Sequence, residues 1–300
     1  MIYLKPVKII VVGDSGSIHS ARFICLLQEL RYRIKVFQSE FCYVQDEHLK
    51  KANINVVFPY NESVNGNVLE GFPPFFGRLA AVLQSHPLIY KKFFKFINKY
   101  GKANRRRRVK NLVKLITSYK PNIIISLKMQ NNGYIVSEAK KILGEAFTAK
   151  WVHFSWGSDI ELFGKDPRYK KEHLPKIFET LQGCDYFLTD SYRDVEQAAR
   201  FGFSGKKLSA VLAMGGFDLN QMTKIRSKNY PRNLILIKGR QDKMGGKVFN
   251  IFRAMRSIAQ ELKPYKIKII YYNLEIKEEV DKLKKQYGID CELIPWLPYK

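Results

Sequence analysis

Three short stretches of the chain carry residue types suited to ligand chemistry, and each stands directly behind a β-branched run. The first is Gly13-Asp14-Ser15-Gly16-Ser17-Ile18-His19-Ser20, after Ile9-Ile10-Val11-Val12. Two glycines and small hydroxyl residues permit a tight strand-to-helix turn, and a helix opening near Ser17 turns its free N–H groups toward any anion at the C-terminal edge of a sheet. The spacing is not G-x-G-x-x-G, so a nicotinamide or flavin fingerprint is absent. The second stretch is Val152-His153-Phe154-Ser155-Trp156-Gly157-Ser158-Asp159, where a carboxylate can accept hydroxyl protons and an indole can stack on an apolar ring face. Asp159 at such a point can also simply cap the next helix. The third is Lys238-Gly239-Arg240-Gln241-Asp242-Lys243-Met244-Gly245-Gly246-Lys247. Its planar guanidinium, point-charge ammonium groups and close-approach glycines suit a diphosphate.

Other chemistries find less support. Gly13-Asp14-Ser15 resembles the opening block of GDSL-type esterases, but that nucleophile needs a D-x-x-H, and the last histidine is His173. No G-x-S-x-G elbow occurs. Cys25, Cys42, Cys184 and Cys291 lie far apart without a C-x-x-C pair, which fits reduced thiols better than a zinc site or a disulfide framework, so no metal is expected.

The elements that must position these stretches follow from the apolar pattern. Short β-branched runs fall at residues 7–12, 34–37, 54–58, 122–126, 150–154, 186–189, 208–212, 234–237, 267–271 and 291–294. Several are apolar on consecutive residues, as in strands covered on both faces by helices. Helical patterns alternate with them, the first from Ile18 and another over residues 247–262, which predicts a doubly wound α/β architecture. At 300 residues the chain is long enough for about two domains. A polar stretch over 219–232 divides it into a domain at 1–222 and a second at 232–300, and the second is short enough to read as half of an α/β domain.

The charge is unusual. Lys and Arg number 52 against 27 Asp and Glu, a net +25, which implies an anionic partner. Fourteen of the cations and no acid fall between Glu70 and Glu138. In that block Lys91, Lys92, Phe93, Phe94 and Lys95, followed by Arg105 and Arg106, interleave rings and cations as a segment lying on an anionic bilayer does. A solvated basic face packed on its own domain, and nucleic acid as a less favoured partner, remain the alternatives. No apolar run approaches a membrane span, and the N-terminus lacks the apolar core of a signal peptide.

Taken together, the three stretches resemble the retaining GT-B glycosyltransferases of family 4. Residues 8–22 look like that family's opening strand and glycine loop, and Trp156-Gly157-Ser158-Asp159 is similar to its mid-domain block. Cys184-Asp-Tyr-Phe-Leu-Thr-Asp-Ser191 with Val211-Leu-Ala-Met-Gly-Gly-Phe-Asp218 looks like the stretch closing the first domain, and Gly239-Arg240 with its lysines like the start of the second.

The resemblance implies two Rossmann-like doubly wound domains, the second incomplete, flanking a cleft. It implies transfer of a sugar, with retention, from a nucleotide-diphosphate sugar to a cell-surface glycan or glycolipid, without a required metal or other cofactor. Donor contacts would come from Gly13, Gly16, Gly239 and Arg240, with Lys243 and Lys247 competing for one role. Ser17, Trp156 and Ser158 would contact the acceptor, and Asp159 and His19 would serve as the catalytic pair binding hydroxyls. The place of work would be the cytoplasmic face of a membrane, as a peripheral protein. The family's E-x7-E pair would fall beyond Lys300, so activity of this chain alone is left open. The rival expectation is a non-enzymatic basic α/β protein that binds nucleic acid or anionic lipid.

Overall fold

β1 (Lys8–Gly13) is an interior strand of a seven-stranded sheet in the order β3-β2-β1-β4-β5-β6-β7, with every adjacent pair parallel. The computed structural model describes residues 6–39, 47–52, 54–57, 105–208, 210, 219–225, 232–240, 247–270 and 274–294. Chain order in the first unit is β1, α1 (Ile18–Glu29), β2 (Arg33–Gln38), α2 (Glu47–Lys51), β3 (Asn55–Val57), α3 (Arg105–Tyr119), β4 (Ile123–Leu127) and α4 (Tyr134–Leu143). β5 (Lys150–Ser155), α5 (Glu161–Lys165), α6 (Pro167–Gly183), β6 (Tyr186–Thr189), α7 (Tyr192–Arg200) and β7 (Lys206–Lys207) complete it. The chain divides into compact units at Met1–Phe217 and Asp218–Lys300.

Consecutive apolar residues explain the position of β1. Ile10 and Val12 enter one core with Phe37, Ile124, Trp151 and Phe187, while Ile9 and Val11 enter the opposite core with Ala21, Ile24, Val36 and Phe154. Successive side chains of a strand point to opposite faces, so a strand apolar throughout is stable only when helices cover both. Trp151 is fully buried, its Nε1 donating to Ser126 Oγ at 2.9 Å. Gly183 closes α6 directly against that ring: a Cβ there would meet the indole at 2.9 Å.

The order places a switch point between β1 and β4. The chain winds outward through β2 and β3 on one side of β1, then returns to build β4 through β7 on the other. Connections diverge at such a point, leaving a crevice at the C-terminal ends of the strands, where ligands of open α/β sheets bind.

The second unit begins with α8 (Leu219–Ile225) and forms a three-stranded parallel sheet in the order β10-β9-β8. β8 (Leu234–Lys238), α9 (Val248–Ser257), α10 (Ala259–Leu262), β9 (Lys266–Ile270), α11 (Leu274–Tyr287) and β10 (Cys291–Ile294) follow in turn. Ile237, Phe252, Ile267, Ile269, Val280 and Cys291 share its core. Leu234 and Leu236, on the other face of β8, are 52% and 60% exposed.

Two expectations change in detail. The run expected at 208–212 pairs instead at Lys206–Lys207, and most of 208–212 lies outside the described residues. The helix expected over 247–262 breaks at Ile258 (φ −123°, ψ 34°), separating α9 from α10.

Candidate functional site at the switch point

The loop after β1 is shaped by side chains of β2. Gln38 is fully buried; its Oε1 accepts from Ser15 N at 2.6 Å and its Nε2 donates to Asp14 Oδ1 at 3.3 Å. Asp14 Oδ1 also accepts from Gly16 N at 3.0 Å, and Asp14 O accepts from Ser17 N at 3.1 Å. Asp14 therefore folds the loop onto itself. Ser17 is the N-cap of α1, extended at φ −86° and ψ 121°, but its side chain makes no capping bond and no acid stands in the first turn. The positive end of the helix macrodipole is left available to an anion. Ser15 Oγ and Ser20 Oγ, both buried, have no hydrogen-bond partner among the described residues.

The turn after β4 supplies the other wall. Lys128 (φ 73°, ψ 140°) and Asn131 (φ 63°, ψ −54°) hold left-handed backbone without being glycine. Each such residue costs about 1–3 kcal/mol and persists where its surroundings over-determine it. Here they do. Lys128 N donates to Phe154 O at 2.8 Å, Met129 N to Asp159 Oδ2 at 2.8 Å, and Gln130 Nε2 to Asp159 O at 3.1 Å. Asn132 Nδ2 donates to Leu127 O while its Oδ1 accepts from Ser39 Oγ. Ser39 N donates to Gly13 O at 3.3 Å, and Arg108 of α3 donates to Ser39 O. The ends of β1, β2 and β4 are thereby tied together.

The turn after β5 completes the edge. Asp159 Oδ2 accepts from Trp156 N at 2.9 Å, and Asp159 N donates to Trp156 O at 2.7 Å. The carboxyl is 1% exposed, and burial pushes its pKa up to about 7 against the opposing pull of the Trp156 and Met129 amides and of Lys128. Expected as a catalytic group binding hydroxyls, Asp159 instead sits inside the protein and clasps two turns. Trp156 lies beside His19, ring centroids 6.1 Å apart at 78°, so the first two sequence stretches meet. His19 and Ser158 are exposed, and Arg193 Nη2 holds Gly157 O at 2.7 Å.

Behind this edge, His153 is fully buried, its Nδ1 2.8 Å from Ser126 Oγ. Burial drops its pKa to about 3, so the ring is neutral and structural.

In the second unit, Gly239 and Arg240 follow β8 at the C-terminal edge of the smaller sheet. Gly239 N donates to Ile270 O at 2.7 Å, and Arg240 O accepts from Val248 N at 3.1 Å, fixing the loop's two ends. The Arg240 side chain is exposed, and Lys247 is the exposed N-cap of α9. Lys243 lies outside the described residues, as do Lys91, Lys92, Phe93, Phe94 and Lys95. Arg105, expected to face lipid, is instead turned to its own domain. It pairs with Glu138 and its guanidinium lies 5.7 Å from the Tyr134 ring centroid. Arg106 is exposed. Among the described residues no cluster of three His, Cys, Asp or Glu side chains could hold a metal.

Sequence reasoning does not single out Gln38, Ser39, Lys128 or Asn132. Asn131-Asn132-Gly133, a few residues past the apolar run that ends at Leu127, is the one local signal that could have marked the β4 turn.

No protein-family model and no curated protein matches the sequence. Solved structures do match it in fold. Staphylococcus aureus MnaA, in a co-structure with UDP, aligns at 14% identity and TM-score 0.54 over 97% of this chain and 69% of that one. The UDP-GlcNAc 2-epimerase of Neisseria meningitidis, bound to UDP-GlcNAc, aligns at 11% and 0.54 over 98% and 73%. Arabidopsis thaliana UGT89C1, complexed with quercetin, aligns at 13% and 0.53 over 98% and 70%. The fold is GT-B, with two Rossmann-like parallel α/β units.

Proposed function

We propose that the protein is a glycosyltransferase that takes a sugar from a nucleotide-diphosphate donor. The observation that carries the reading is the uncapped N-terminus of α1 at the switch point, free of acidic side chains in its first turn and flanked by His19 and Trp156. It is supported by a fold shared with proteins crystallised with UDP and UDP-GlcNAc. Exposed Arg240 beside Gly239, at the C-terminal edge of the second unit's own sheet, fits a diphosphate, with Lys243 or Lys247 adding charge. Gly13 and Gly16 let the backbone approach the donor, and Ser17, Ser158, His19 and Trp156 face the acceptor. Asp159 positions the Trp156 and Met129 turns and touches no substrate. Retention at the sugar carbon, independence of metal, and a glycan or glycolipid acceptor at the cytoplasmic face of a membrane belong to the same proposal.

The test is release of nucleoside diphosphate from a panel of UDP-, GDP- and ADP-sugars by the full chain, with and without isolated membranes as acceptor. Acceptor-dependent release with label passing into the glycolipid fraction supports the reading. Conversion of UDP-GlcNAc to its 2-epimer without acceptor replaces transferase by epimerase. Retention on RNA with a steep salt slope, and no release from any donor, favours a binding protein.

A further inference from the structure

We propose that α3 is the surface through which the protein docks on an anionic bilayer, with Arg106, Arg107, Lys110 and Lys114 at the headgroups. Val109, Leu112, Leu115 and Ile116 bury one side of this helix in the first core. The four cations are all exposed. At 3.6 residues per turn they fall within about 100° of the circumference, opposite the apolar side, along about 12 Å of axis. Arg105 pairs with Glu138 of α4 on the flank turned to the domain, and α3 itself carries no acidic residue. Arg106 and Arg107, in the first turn, also oppose the helix's own dipole, a cost that an apposed anionic surface relieves.

A bilayer fits this face better than nucleic acid does. No aromatic side chain shares the arc, so bases would find nothing to stack on, while a row of cations on a rigid rod matches a delocalised negative surface. Among the described residues no helix is long and apolar enough to cross a membrane.

The placement has a consequence for the switch point. Arg108, next in sequence to Arg107, bonds Ser39 O, and Ser39 in turn bonds Gly13 O and Asn132. At the other end of the helix the Tyr119 hydroxyl donates to Arg33 O at 2.9 Å, at the start of β2. The helix therefore runs from the ligand edge to the opposite edge, and docking along it brings the switch-point loops to the lipid surface. This last step rests on the function proposed above, because only a lipid-borne acceptor makes that proximity useful.

Sedimentation of the full chain with vesicles tests it. Wild type should bind phosphatidylcholine vesicles containing phosphatidylglycerol, less as salt rises, and ignore pure phosphatidylcholine. With about 1 kcal/mol per cation at the surface, R106E/R107E/K110E/K114E should lower the partition coefficient at least about a hundredfold. The charge-matched variant K170E/K171E/K206E/K207E, altered at exposed lysines elsewhere, should retain most binding. Equal loss in both variants, wild-type binding by the α3 variant, or wild type that binds single-stranded RNA but not vesicles each overturns the proposal. UDP titration of the same preparations separates this failure from failure of the nucleotide-sugar reading.

Discussion

The ring of His19, in the first turn of α1, stands edge-on to Trp156 at 6.1 Å, joining a loop after β1 to a turn after β5. The residues are 137 apart in sequence, yet both belong to the C-terminal edge of one sheet. Their contact makes one wall of the switch point out of two separate motifs. Trp156→Ala removes an aromatic wall that is only partly buried, so most of its effect should fall on ligand binding. The expected outcome is a tenfold or larger loss of acceptor-dependent turnover with a shift in melting temperature of a few degrees at most. Trp156→Phe should recover part of the turnover, since the ring face remains.

The two buried titratable groups near this edge give stability opposite pH slopes. Asp159 carries a folded pKa near 7 against an ordinary 3.8, so the folded state holds a proton that the unfolded chain releases. Its contribution therefore falls as pH rises from about 3.8 to 7. His153 carries a folded pKa near 3 against 6.5, so its contribution is complete above 6.5 and is lost as pH falls toward 3. Between about 4 and 6.5 the slopes oppose each other. Chemical denaturation across this range should show Asp159→Asn with stability rising more steeply with pH than wild type. His153→Gln should show the reverse, a fall with rising pH. Identical profiles in both variants would refute the assignment.

Removing the clasp itself should be costly at any pH. Asp159→Ala leaves Met129 N and Trp156 N without their buried acceptor, at about 1–3 kcal/mol for each buried group left unpaired. Asp159→Asn keeps an oxygen able to accept both bonds and should retain most stability at pH 8. Comparing the two variants by urea denaturation separates the hydrogen bonds from the charge.

Trp151 anchors the larger core. Trp151→Ala should destabilise the first unit by about 3–5 kcal/mol, by emptying a fully buried indole site and orphaning its bond to Ser126. Gly183→Ala adds a single methyl but places it 2.9 Å from the indole, so it should cost about 1–3 kcal/mol without exposing the core. Urea unfolding followed by tryptophan fluorescence measures both.

The strands were legible because the signal is local. Runs such as Ile9-Ile10-Val11-Val12 and Ile123-Ile124-Ile125 are apolar on consecutive residues, and both lie in the middle of the sheet. Gly239-Arg240 and the loop after β1 were legible for the same reason: each follows such a run. The side chains that shape the site were not. Gln38 reaches Ser15 across 23 residues, and Ser39 reaches Asn132 across 93, distances at which no spacing rule operates. Asp159 reads identically in sequence whether it faces a ligand or the interior, and only tertiary burial decides. Arg105 and Arg106 are likewise adjacent in sequence but about 100° apart on α3, which sends one to Glu138 and the other to solvent.

Calorimetric titration of UDP into the full chain and its Arg240→Ala variant tests the central claim most directly. A charge-assisted contact of about 1.5–3 kcal/mol predicts that wild type binds UDP and that the variant binds it roughly ten- to a hundredfold more weakly, with Arg240→Lys between them. Equal affinity in wild type and Arg240→Ala, or no binding of UDP, GDP or ADP by wild type, would contradict a nucleotide-sugar site on this fold.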